Sequence, residues 1–135
     1  MPQSGYIYIL INPTLNGLVK IGKTSKTSEE RAKELSSATG VPTQFIVAYD
    51  EFFDDIDLAE NHVHEILKNM GHHVFPNKEF FDIPLKDAIG ILNETRKYFT
   101  NIYNNLDSEE NIIIDEYEDE VKNDSSENSY DSILE

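Results

Sequence analysis

Two short stretches near the start of the chain alternate with the two-residue period of a strand. Over residues 5–11, the side chains Tyr6, Tyr8 and Leu10 fall on one face and three isoleucines fall on the other. A second stretch, LVKIGK at 18–23, follows after a connection that contains an Asn-Gly pair. This turn chemistry is typical of a β-hairpin, so the pattern predicts two antiparallel strands.

Further along, the apolar positions recur at the three- and four-residue steps of helices. Thr27 and Glu30 form a capping-box pair, which marks the start of the first helix. An apolar and β-branched run between the first two helices predicts a third strand. The predicted elements after the hairpin are a helix at 28–38, a strand at 43–53, a helix from 54 or 55 to 71, a short hairpin around Pro76-Asn77, and a helix at 84–103.

This order of elements predicts one small α/β (α+β) domain over residues 1–106. We expect a three-stranded antiparallel sheet flanked by helices. After residue 106 the composition changes to Asp, Glu, Asn and Ser. Such a segment cannot bury enough apolar area to offset its ordering entropy, so we predict a disordered acidic tail over 107–135.

The acidic charge is concentrated in that tail. The whole chain carries a net charge of −15, and residues 107–135 hold twelve of its 26 acidic residues against one lysine. The rest of the chain is only mildly acidic, so a local phosphate-binding cleft is not excluded. The chain has no cysteine, so any metal must be held by oxygen or imidazole. With no long apolar run, we expect a soluble intracellular protein, cytoplasmic or nuclear, without a membrane partner.

Taken singly, the polar residues of these elements do not identify a site. Tyr8 on a strand is more often a core residue, and Arg31 and Glu60 are more often solvated helix residues. A zinc site is an alternative raised by four histidines, His62, His64, His72 and His73. Positions 62 and 64 point to different sides of a helix, which argues against that alternative.

Six sequence blocks taken together are more informative than any single residue. They are Tyr6-Ile7-Tyr8, Val19 to Thr24, Arg31 to Leu35, Thr39 to Pro42 with Phe45, Ala59-Glu60 with His64, and Glu79-Phe80-Phe81. In this order they resemble the GIY-YIG nuclease superfamily, and more closely its T5orf172/MUG113-type domains, over roughly residues 5–92.

The resemblance implies a catalytic site and a cofactor. It places catalytic roles on the strand tyrosine Tyr8, with Tyr6 on the same face, and on Arg31, Glu60 and His64. Glu60 would hold one divalent ion, Mg²⁺ or Mn²⁺, as a carboxylate does. The residues predicted to contact phosphate or DNA are Lys20, Lys23 and Thr24.

Two details qualify the predicted chemistry. A tyrosine needs nearby cations such as Lys20 or Lys23 to become a phenolate near neutral pH. Lys20 itself stands where the superfamily has its second tyrosine, and a lysine can hold a phosphate but cannot act as that phenol. Glu79 precedes two phenylalanines that are expected to close the core, and we predict a structural role for it.

The sequence therefore predicts a metal-dependent DNA endonuclease, with two alternatives. One is a non-catalytic DNA-binding module of the same fold, which Lys20 favours. The other is a protein-interaction module acting through the acidic tail, with a protein partner at 112–120.

Overall fold

The computed structural model describes residues 1–37, 43–74 and 79–107. The described elements are β1 (Gly5–Ile11), β2 (Val19–Thr24), α1 (Ser28–Ser36), β3 (Ile46–Phe53), α2 (Ile56–Asn69), β4 (Phe80–Phe81) and α3 (Leu85–Asp107). The strands form an antiparallel sheet and the helices flank it, so the predicted α/β class is confirmed.

β1 is an inner strand of this sheet, whose order is β3-β1-β2-β4. Its four central residues, Ile7 to Leu10, are at most 1% exposed, so both faces of β1 are buried. On one face Tyr8 and Leu10 pack against Ala32 of α1. Tyrosine and leucine are buried on one face of β1 and isoleucine on the other, so both faces of the strand are covered.

The sheet has four strands, so the prediction of three is wrong by one. The additional strand, β4, pairs antiparallel with β2 through Val19 opposite Phe81 and Lys20 opposite Phe80. A two-residue strand is too short to show a period in the sequence. The pairing with β2 instead depends on tertiary contacts, including the bond from the Ile21 amide to the Glu79 carbonyl at 2.9 Å.

The predicted helix starts are confirmed by their caps. Thr27 Oγ1 accepts from the Glu30 amide at 3.1 Å, as the capping box requires. Asp55 caps α2 by accepting from the Leu58 amide at 3.2 Å. α1 ends at Ser36, and the predicted end at residue 38 lies outside the described residues.

The chain divides into two compact units, Met1–Arg96 and Lys97–Glu135. The first unit contains the whole sheet. In the second, the rings of Tyr98 and Phe99 meet edge to face at 5.2 Å. The predicted disordered tail and the protein-partner segment 112–120 lie outside the described residues from position 108 onward. No helix in the described ranges has the length and apolarity needed to cross a membrane.

Candidate functional site

Two polar groups, one from β1 and one from the residue before β4, project over the bare backbone of Gly22. Tyr8 lies opposite Gly22 in the β1–β2 register. A Cβ built on Gly22 would collide with the Tyr8 hydroxyl and would lie 2.6 Å from Glu79 Oε1. The absence of a side chain at Gly22 therefore lets a phenol and a carboxylate approach each other on the sheet.

This close approach predicts that Gly22→Ala destabilises the protein. The new methyl group would meet Tyr8 and Glu79, and overpacking of this kind costs about 1–3 kcal/mol. Gly90 in α3 is the matched control because a Cβ there meets nothing within 4 Å. Gly90→Ala is expected to gain about 0.5–1 kcal/mol from helix propensity. Urea unfolding of both variants measures the difference in stability. Equal stabilities would contradict the close approach of Tyr8 and Glu79 to Gly22.

Helix α2 places a second carboxylate, that of Glu60, beside Glu79. Glu60 is only 7% exposed, and its Oε2 has no hydrogen-bond partner among the described residues. Its Oε1 lies 3.5 Å from Lys23 Nζ. Burial first, then hydrogen bonding to and repulsion from Glu79, raise the pKa of Glu60 to about 7. The pair Glu60 and Glu79 therefore attracts either a proton or a cation near neutral pH.

His64, one turn after Glu60, is held by a backbone carbonyl. Its Nε2 lies 2.8 Å from the Ile21 carbonyl oxygen, which can only accept, so Nε2 carries the proton. The ring also packs on Phe81 at 5.1 Å. Burial lowers the pKa of His64, which favours the neutral imidazole. Nδ1 is then left as an unprotonated nitrogen that can bind a metal.

These three side chains form a group that fits a divalent cation. One ligand atom from each of Glu60, His64 and Glu79 lies within 4.8 Å of the others. Two carboxylates and one imidazole suit Mn²⁺ and also accept Mg²⁺. The buried, unpartnered oxygen of Glu60 is an atom that a bound cation would satisfy.

The four histidines do not share one site. His72 Nδ1 lies 3.3 Å from Asp82 Oδ1, and the His73 ring packs on Phe81 at 5.2 Å. Of the four, His64 is the one that belongs to the candidate metal group found in the described ranges. The geometry thus gives no support to the zinc alternative.

Arg31 connects this group to the surface. Its guanidinium lies beside the Tyr8 hydroxyl, and its Nη1 donates to Glu34 Oε1 at 3.1 Å. Tyr8 is nevertheless held as a phenol: burial, followed by repulsion from Glu79, raises its pKa to about 12 against the opposing effect of Arg31. Arg31 thus favours the phenolate, as a nearby cation is expected to, but burial of the hydroxyl outweighs its effect.

Two lysines of β2 also lie beside the carboxylates. Lys20 Nζ is 3.3 Å from Glu79 Oε1 and 5.1 Å from the centre of the Phe80 ring. Lys23 Nζ is 2.6 Å from Asp57 Oδ1 in addition to its contact with Glu60. The structure thus brings together Tyr8, Arg31, Glu60, His64, Lys20 and Lys23 from the predicted residues.

Tyr6 and Thr24 have other described contacts. The Tyr6 ring packs edge to face on Phe52, with centres 5.6 Å apart. Thr24 is buried, and its Oγ1 accepts from the Lys26 amide at 3.1 Å. Neither contact joins these residues to the candidate metal group, so their predicted roles stay predictions.

Sequence reasoning did not place Glu79 in the site. Its carboxylate is there because β4 pairs with β2, which sets Glu79 beside Lys20, 59 positions away in the chain. The available signal was a single acid next to a Phe-Phe pair, and without the β2–β4 pairing this signal fits a structural residue equally well. The carboxylate was therefore visible in the sequence but its neighbours were not.

Comparisons with known proteins bear on these residues. The family model for the T5orf172 domain matches residues 5–96, which contain all of the site described above. No curated protein and no solved structure matches the chain.

Proposed function

We propose, from the premise that this chain belongs to the T5orf172 domain family, that it is a metal-dependent DNA endonuclease of the GIY-YIG type. The family is consistent with a nuclease-like or DNA-binding module. One observation supports the more specific proposal of metal-dependent DNA cleavage. The buried Glu60 carboxylate has an unpartnered oxygen beside Glu79 and His64. A buried carboxylate oxygen without a hydrogen-bond partner is costly, and such groups concentrate at functional sites.

We assign the binding of one Mg²⁺ or Mn²⁺ ion to Glu60, Glu79 and His64. When bound, the ion would polarise the phosphodiester and stabilise the leaving oxygen. His64 is oriented for this role by its bond to the Ile21 carbonyl, as is usual for histidines that hold metals.

The other residues act on the phosphate and on the attacking water. Arg31 offers paired donors to the phosphate oxygens, and Lys23 adds a second positive charge. Tyr8, with its pKa near 12, serves as a hydrogen-bond donor that positions the water or a phosphate oxygen. Because its raised pKa of about 7 favours a protonated Glu60, the carboxylate pair is expected to hold the ion better as pH rises through 7.

A cleavage assay tests this proposal. Supercoiled DNA is incubated with the protein in Mg²⁺, in Mn²⁺ or in EDTA, and nicked and linear products are measured over time. We expect products with either ion and none in EDTA. Intact DNA under all three conditions would contradict the proposal.

A second candidate function is DNA binding without strand scission. The observation that favours it is Lys20, which occupies the position of the second tyrosine and is held against Glu79 at 3.3 Å. Salt-sensitive DNA binding that needs no metal, together with intact DNA in the assay above, would decide for this candidate. The protein-interaction alternative depends on segment 112–120, outside the described residues.

A further inference from the structure

One carboxylate on the surface of α1 joins two cations. Glu34 Oε1 accepts from Arg31 Nη1 at 3.1 Å, and Glu34 Oε2 accepts from Lys26 Nζ at 3.2 Å. Each oxygen thus has its own cation. The two non-bridging oxygens of a phosphodiester present the same pair of acceptors, so Lys26 and Arg31 are arranged as a cradle for a phosphate.

The cradle is adjacent to the candidate metal group but is not part of it. Arg31 interacts with the Tyr8 hydroxyl as well as with Glu34. The backbone of Lys26 is fixed by the bond from its amide to Thr24 Oγ1. Both cations are therefore attached to ordered backbone. Lys26 lies just after β2, and Arg31 lies in the first turn of α1.

The Glu34 carboxylate, which occupies the cradle, is able to leave it. The side chains of Lys26, Arg31 and Glu34 are 61%, 42% and 45% exposed. Ion pairs that exposed are weak, because water competes for each partner and long side chains lose entropy when held. Hydrogen bonds from Arg31 first, then from Lys26, lower the pKa of Glu34, so the occupant is an anion at neutral pH.

We propose that Lys26 and Arg31 form a phosphate subsite, and that Glu34 is an internal anion which a nucleic-acid phosphate displaces. The identity of the displacing ligand rests on the proposed function above. Lys26 is thereby a phosphate-binding residue, and Glu34 weakens binding because its charge has to move aside and then repels the bound strand.

Replacing Glu34 by glutamine tests this inference. Gln can still bond to Arg31 but carries no charge, so Glu34→Gln is expected to lower the Kd for a short DNA duplex in EDTA by about threefold or more and to steepen the salt slope by about one unit. Glu29→Gln is the matched control, since it removes the same charge from the same helix and Glu29 has no ion pair among the described residues. The control is expected to change the Kd much less.

A second titration separates this inference from the proposed function. Inorganic phosphate is added to each protein while the NMR signals of the Arg31 and Lys26 side chains are followed. Tighter phosphate binding by Glu34→Gln than by wild type and Glu29→Gln supports the subsite, even if no variant cleaves DNA. Equal binding of phosphate by all three proteins, or no binding by any, overturns the subsite and leaves the cleavage assay to decide the proposed function.

Discussion

Glu60→Gln is expected to abolish DNA cleavage and at the same time to stabilise the protein above pH 7. The amide keeps the size of the side chain but removes the charge that would bind the metal ion, so we expect a loss of at least about 100-fold in rate. The stability gain follows from burial: Glu60 is 7% exposed and its Oε2 has no partner among the described residues. Removing that charge relieves the cost of holding it there.

The pH dependence of this gain has a definite sign. The pKa of Glu60 rises from 4.5 to about 7 on folding, so between those values the folded state binds a proton more strongly than the unfolded state. Stability of the wild type therefore falls as pH rises through this window and stays lower above pH 7. Glutamine does not titrate, so the variant should be more stable by roughly 3 kcal/mol at pH 8 and similar to wild type at pH 4.

Urea unfolding at pH 4 and pH 8, together with the cleavage assay, measures both effects. Glu65→Gln is the control, because Glu65 is an exposed carboxylate on the same helix. It should leave cleavage and the pH profile near those of the wild type. Wild-type cleavage by Glu60→Gln would remove Glu60 from the site, and an unchanged pH profile would contradict the described burial of its charge.

Arg31→Ala is expected to reduce cleavage by about 100-fold to 1,000-fold, the usual loss when one group that stabilises transition-state charge is removed. The Arg31 side chain is 42% exposed and interacts with the Tyr8 hydroxyl, so a phosphate can reach it from solvent. Arg31→Lys keeps the charge but not the forked pair of donors, so we expect it to recover only part of the rate.

The matched control is Arg96→Ala. Arg96 is also half-exposed and also paired with a glutamate, Glu51 at 2.6 Å, but it does not take part in the contacts of the candidate site. Initial rates of nicking at fixed Mn²⁺ should be close to wild type for Arg96→Ala and strongly reduced for Arg31→Ala. Equal rates in the two variants would show that Arg31 does not act on the phosphate.

Much of the fold was predictable because its signals are local. The capping pair at Thr27 and Glu30 and the alternation along β1 each lie within a few residues, and the structure has the corresponding helix start and strand. Tyr8, Arg31 and Glu60 were nominated by the order of the sequence blocks, and the structure brings them together around Gly22 and Glu79.

What could not be predicted depends on contacts between distant parts of the chain. The short hairpin around Pro76-Asn77 was predicted, but the pairing of β4 with β2, which positions Glu79, leaves no local pattern in the sequence. The pKa of Tyr8 depends on how deeply its hydroxyl is buried, and a list of neighbouring cations does not contain that quantity. The Glu34 bridge likewise needs the three-dimensional positions of Lys26 and Arg31.

The most direct test of the central claim is anomalous diffraction from a crystal of the full chain soaked in Mn²⁺. We expect a manganese peak bonded to carboxylate oxygens of Glu60 and Glu79 and to Nδ1 of His64, at about 2.0–2.3 Å. The same soak of Glu60→Gln crystals should show no peak there. A wild-type peak bound elsewhere, or no peak at this group in a protein that cleaves DNA with Mn²⁺, would contradict the assignment of the metal site.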